Sequence, residues 1–147
     1  MKKSVLISVS VGVISYGLFA VIALAVVPSV FPYTEPNDEL LARLTWIQRL
    51  VTEKVLNLGI LVVSGMFLGR IVSGTDIRLL ILSVLTAFVY QILGVSYIVS
   101  RWGVSYYLES HQFFFTLFYS AALCAAGTFF IRCILSINRK SLSERST

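Results

Sequence analysis

The residues of this chain with the chemistry for acid–base catalysis are few, and they fall in one stretch of the sequence. Arg101, Glu109 and His111 bracket the connection between two apolar blocks, and His111 is the single histidine. A carboxylate and an imidazole work as an acid–base pair only where the fold brings them together. The same residues are typical interfacial anchors and surface ion pairs. The sequence favours this second interpretation and predicts no catalytic residue and no enzymatic activity.

Metal, redox and nucleic-acid chemistry are disfavoured by the residue types present. The two cysteines, Cys124 and Cys133, form no CxxC pair, which argues against a thiol–disulfide carrier. One histidine cannot supply paired axial ligands to a haem or a histidine-rich metal site. The basic residues flank apolar blocks instead of clustering with aromatic residues, so no nucleic-acid partner is expected. The sequence therefore predicts no metal site and no cofactor.

The composition is that of an integral membrane protein. The chain has 147 residues, of which 57% are hydrophobic and 13% are charged. Globular domains carry roughly 25% charged residues. The mean hydropathy is +0.87, and the apolar residues come in blocks. A chain of this length is expected to form a single membrane domain over residues 1–147, with the lipid bilayer as its first partner.

Four apolar blocks are long enough for helices that cross the roughly 30 Å hydrocarbon core. The second block is the shortest, because Lys54 and Arg70 leave only about 15 uncharged residues, or roughly 22 Å of helix. The two charged side chains can extend to the interfaces, or the bilayer can thin around this span. The sequence thus predicts an all-α bundle of four transmembrane helices, over residues 4–27, 55–72, 77–99 and 112–137.

The connections between the spans differ in kind. Residues 38–52 carry Leu40, Leu44, Ile47 and Val51 at helical spacing, which predicts a short amphipathic helix at the outer interface. This helix could be separate from the second span or continuous with it. Residues 73–76 form a tight turn, so spans two and three are expected to make a helical hairpin.

Lysine and arginine predict the orientation of the spans in the membrane. Glu35, Asp38, Glu39, Glu53 and Glu109 would lie on the outer side. The short basic start and compact loops suggest a bacterial inner membrane, with both termini and a tail over residues 138–147 in the cytoplasm. The basic residues divide unequally, with Arg43, Arg49, Lys54 and Arg101 outside and the larger group of Lys2, Lys3, Arg70, Arg78, Arg132, Arg139, Lys140 and Arg145 inside.

A layer of polar side chains is predicted near the middle of the membrane. Amides and hydroxyls are costly in hydrocarbon without a partner, so these groups should face inward. They could form a structural hydrogen-bond cluster or line a path for an ion or small molecule. No ionisable residue lies centrally in any span, which argues against a proton-coupled transporter. The members of this layer are Tyr16, Tyr90, Gln91, Tyr119 and Ser120.

Small residues recur at every fourth position of the second span, at Gly65, Gly69 and Ser73. Such spacing lets helix backbones approach closely in lipid. The face could pack against another helix of the same chain or against a partner chain.

Two functional hypotheses follow from the sequence. The leading one is a non-enzymatic interaction protein, such as an accessory, immunity-like or regulatory subunit, which contacts another membrane protein through its helices. The alternative is a small homo-oligomeric channel or passive transporter with the polar layer as its lining.

Overall fold

The helices seen in the structure correspond to the predicted blocks. The computed structural model describes residues 2–26, 39–102 and 113–144, and within them the side chains of 2–25, 47, 54–101 and 114–137. None of the residues in these ranges is in a strand. The helices are α1 (Lys2–Val21), which continues into a π-helical segment (Ile22–Val26), α2 (Glu39–Ile71), α3 (Asp76–Trp102) and α4 (Phe113–Glu144).

Four stretches of these helices are long and apolar enough to cross a membrane, as the sequence predicts. They are Lys2–Ala25, Lys54–Ile71, Asp76–Arg101 and Phe114–Ile137. The second is the shortest at 18 residues, with Lys54 at one end and Arg70 near the other.

α2 and α4 extend beyond their membrane-spanning segments. The amphipathic segment predicted at 38–52 is continuous with the second span, which is one of the two arrangements that the sequence allows, and residues 39–52 form the first part of α2. No glycine or proline interrupts the chain from Glu39 to Lys54, so the helix propagates into the span. α4 likewise continues to Glu144, so most of the predicted tail over 138–147 is helical.

The four helices pack in a ring. α2 packs most extensively on α4, α4 on α3 and α3 on α1, while α1 and α2 make the sparsest contact between neighbours. α2 and α3 lie diagonally across the ring and touch little, although only residues 72–75 connect them. The predicted hairpin therefore has the expected short turn, but its two helices pack on α1 and α4 rather than on each other.

The bundle has two distinct ends. Arg78 donates to Ser4 Oγ at 2.8 Å, and Arg132 donates to the carbonyl of Gly74 at 3.0 Å, so these residues share one end with the 72–75 turn. We call it the turn end. Lys54 and the start of the α4 span lie at the opposite, far end.

The interior and the surface are inverted relative to a soluble protein. Large apolar side chains face outward, including Leu6, Ile77 and Phe115, which are 68–74% exposed. Fully buried positions include several hydroxyl residues: Ser8, Ser83, Thr86, Ser120 and Thr128. Two apolar clusters complete the core, one around Leu68 and Leu79 and the other around Leu61 and Tyr90.

Candidate functional site

Buried hydroxyl groups join neighbouring helices in pairs. Each pair lies where two spans meet, and each shares a hydrogen bond of 2.6–2.9 Å. The pairs are Ser8 and Thr86 between α1 and α3, Ser15 and Ser64 between α1 and α2, and Ser83 and Thr128 between α3 and α4. Hydroxyl bonds across membrane helices are each worth about 0.6–2 kcal/mol.

These hydroxyls also bond to helix backbones. Ser8 donates to the carbonyl of Leu82 at 2.6 Å, and Ser15 donates to that of Val11 at 2.6 Å. In the part of the chain that the structure describes, no buried side-chain nitrogen or oxygen is left without a hydrogen bond. The spacing could have revealed this network, because hydroxyls three, four or seven residues apart in an apolar span share one helix face.

Glycines bring the backbones of α2 and α4 into direct contact. A Cβ atom added to Gly65 would overlap the carbonyl of Cys124, and one added to Gly127 would overlap the carbonyl of Val62. A Cβ on Gly69 would lie 2.6 Å from the carbonyl oxygen of Thr128. We call this contact the α2–α4 seam, formed by Gly65, Gly69, Cys124, Gly127 and Thr128.

The seam accounts for two of the three small residues that the sequence singles out. Gly65 and Gly69 are buried against α4 of the same chain, whereas Ser73 is exposed in the turn. A partner could reach the two glycines only by displacing α4. Gly127 was missed by the sequence reasoning, although it sits one residue before Thr128 on the same small-residue face.

The polar residues predicted to lie at one depth separate into two groups. Tyr90 is buried, packs edge-on against Tyr16 at 5.8 Å between ring centroids, and donates its hydroxyl to Asn57 Oδ1 at 2.5 Å. Gln91 donates from Nε2 to Ser120 Oγ at 2.5 Å.

The second group opens onto a cavity between α2, α3 and α4 at the far end. We call it the polar cleft. Its volume is about 520 Å³, and Tyr119, 43% exposed, stands at its edge. The lining residues are Lys54, Asn57, Gln91, Phe115, Thr116, Tyr119 and Ser120. The sequence places Lys54 on the outer side but does not connect it with Gln91.

The bundle interior is closed between the polar cleft and the turn end. Leu61, Leu79, Ser83 and Thr86 are all fully buried there. Tyr90 and Ser120 are buried in the bundle, and Ser120 also contributes to the lining of the polar cleft.

A different, apolar groove runs along the outside of the bundle between α1 and α2. Its volume is about 570 Å³. A Cβ added to Gly59, on its wall, would meet nothing within 4 Å. We call it the apolar groove, and it is lined by Val11, Ile14, Ser15 and Leu18 of α1 and by Val55, Leu56, Gly59, Ile60, Val63, Ser64 and Phe67 of α2.

The predicted outer cluster is described only in part. Arg101 is exposed at the end of α3, whereas Glu109 and His111 lie outside the described residues. Within the described part of the chain, no group of three His, Cys, Asp or Glu residues could hold a metal ion. Cys124 is buried in the α2–α4 seam and Cys133 is exposed.

Comparisons with family models, with curated proteins and with solved structures all give no match. The apolar groove and the polar cleft both have room for another molecule, as does a cavity of about 570 Å³ at the turn end, whose lining includes Arg70, Asp76 and Arg132.

Proposed function

We propose that the chain is a non-enzymatic membrane protein that binds a transmembrane helix of another membrane protein in the apolar groove. The proposal rests on the difference in packing between two helix contacts of the ring. The α2–α4 contact is sealed by backbone against backbone, whereas the α1–α2 side leaves about 570 Å³ of open groove.

The length and chemistry of the groove suit an apolar helix. Along α2 it extends from Val55 to Phe67, which is about 18 Å or three helical turns. Its described lining contains no charged side chain, and its two hydroxyls, on Ser15 and Ser64, are bonded to each other. In lipid, helices associate through shape and close packing. Because Gly59 has no side chain, a side chain of the partner can approach the α2 backbone there.

This proposal moves the partner contact away from the small-residue face predicted from the sequence. Gly65 and Gly69 already pack against α4, so a bulky residue at either position would disrupt the bundle itself. Association measured with such a variant would report folding as well as binding. The groove avoids this difficulty because a Cβ atom added to Gly59 would meet nothing within 4 Å.

A photocrosslinking amino acid at Val63, which lies in the groove and is 63% exposed, tests the proposal in native membranes. We expect one discrete crosslinked product that contains a second membrane protein. Gly59→Leu should abolish it by filling the groove. Gly17→Leu is the matched control, because Gly17 also has open space around it and does not line the groove.

Two outcomes would overturn the proposal: no discrete product from Val63, or a product that Gly59→Leu and Gly17→Leu affect alike. A product containing two copies of this chain would show that the groove binds a second copy and not a different protein.

The proposal includes a location in a bacterial inner membrane with both termini in the cytoplasm. It is supported by the basic residues Lys2, Lys3, Arg70, Arg78 and Arg132, which belong to the turn end. Cytoplasmic segments of membrane proteins are enriched in such residues.

The exposed Cys133, one residue from Arg132, reports this orientation directly. In intact cells a membrane-impermeant maleimide should leave it unlabelled, and after permeabilisation it should label. Cys133→Ser is the control, because the remaining Cys124 is buried and should not be labelled. Labelling of Cys133 in intact cells would reverse the orientation.

A further inference from the structure

We infer that the polar cleft binds the phosphate headgroup of a membrane phospholipid. The inference concerns a different surface from the apolar groove and does not depend on a partner protein.

The charge of the cleft selects for an oxyanion. Lys54 is the one ionised side chain in its described lining. Among the side chains that the structure describes (2–25, 47, 54–101 and 114–137), Asp76 is the single acidic one, and it lies at the turn end beside Arg132. The compact ammonium group of Lys54 is a point charge that suits a phosphate oxyanion.

The neighbouring amides are oriented by hydrogen bonds from inside the bundle. Asn57 Oδ1 accepts the hydroxyl of Tyr90, so the Asn57 Nδ2 group is the side of the amide left to donate to a ligand. Gln91 is held by its bond to Ser120, which is buried. Donors held by buried partners lose little freedom when they bind a ligand.

The depth of these groups follows the layout of a phospholipid. Lys54 begins the apolar stretch of α2, and Asn57 lies about 4.5 Å further in along the helix. Ser120 is about 9 Å from Phe114, where the α4 span begins. A phosphate near Lys54 and Asn57 would place the ester carbonyls of the same lipid deeper, near Gln91 and Tyr119.

The wall of the cleft also fits a lipid better than a free anion. Phe115 is 74% exposed and lines the cleft, where an acyl chain can lie against its ring. A free phosphate shares the contacts to Lys54 and Asn57 but gains nothing from Phe115. The aromatic wall therefore favours the lipid as the source of the phosphate.

Native mass spectrometry of the full chain in mild detergent tests the inference. The probes are phosphatidylglycerol, diacylglycerol with the same acyl chains, and inorganic phosphate. We expect phosphatidylglycerol to stay bound and diacylglycerol to be lost. Lys54→Gln should weaken phosphatidylglycerol binding about tenfold, the usual effect of removing one hydrogen bond to a charged group. Asn57→Leu should weaken it as well.

Lys3→Gln is the matched control, because it removes the same charge from the exposed turn end. Inorganic phosphate could displace the lipid in the wild type but not in Lys54→Gln. That result would support the oxyanion site and show that it binds free phosphate as well as a lipid headgroup. Equal binding of the two lipids, or equal losses in Lys54→Gln and Lys3→Gln, would overturn the inference. Gly59→Leu should leave lipid binding unchanged, which separates this result from that of the apolar groove.

Discussion

α2 meets α4 on one face and α1 on another, and the two contacts differ in how closely the backbones approach. On the α4 side, Gly65 and Gly127 leave no room for a methyl group. On the α1 side, Gly59 faces open space, and the two helices are joined by the bond between Ser15 and Ser64. On α2, a glycine therefore marks close packing at Gly65 but not at Gly59.

The difference arises from what each opposite helix presents. α4 offers Cys124, Gly127 and Thr128, which are small, so backbone atoms come into van der Waals contact over two turns. α1 presents Ile14 and Leu18, which are 68% and 52% exposed at the edge of the groove. These branched side chains line the groove without filling it.

The largest effect is expected from adding a single methyl group to the α2–α4 seam. Gly65→Ala would place a Cβ atom against the Cys124 carbonyl and force the helices apart. Overpacking of this kind costs about 1–3 kcal/mol. Unfolding in mixed micelles by titration with a denaturing detergent measures the loss.

Gly59→Ala is the matched control for this comparison. It lies on the same helix and its Cβ position is open, so we expect no loss of stability. Equal destabilisation by the two variants would mean that helix flexibility, not the opposite helix, determines the effect, and the contrast between the two contacts would fail.

A smaller effect is expected from removing one hydroxyl of the network. Thr128 Oγ1 lies 2.9 Å from Ser83 Oγ and 3.0 Å from the Gly65 carbonyl, so it connects three helices. Thr128→Val keeps the shape and should cost about 0.6–2 kcal/mol in the same titration. Ser64→Ala should cost less, because Ser15 still donates to the Val11 carbonyl.

Thr128→Ser separates the hydroxyl from the methyl group, since it keeps the hydrogen bonds and loses one carbon. We expect it to retain more stability than Thr128→Val if hydrogen bonding dominates. A larger loss from Ser64→Ala than from Thr128→Val would show that the α1–α2 contact is the stronger of the two.

The sequence did not predict the order of the helices around the ring. The short turn predicted at 73–76 implies that α2 and α3 pack together, yet both pack on α4. A turn fixes only the separation of two helix ends. Which helices pack together depends on the fit between their faces, and the α2 face with Gly65 and Gly69 fits α4.

The polar residues give a similar lesson at the level of single side chains. Tyr16, Tyr90, Gln91, Tyr119 and Ser120 were expected at one depth, and hydrogen bonds or ring contacts do join several of them. Their division between a buried pair of rings and an open cleft depends on helix rotation. Counting residues from the end of a span gives depth but not rotation.

The sequence by itself determined that the chain is helical and that four of its segments can cross a membrane, because both properties follow from runs of apolar residues and the spacing of charges. Only the tertiary structure decided which small residues are covered and which are open. That outcome depends on pairs of surfaces far apart in the chain, such as Gly65 and Cys124, whose fit is set by shape over distances of a few ångströms.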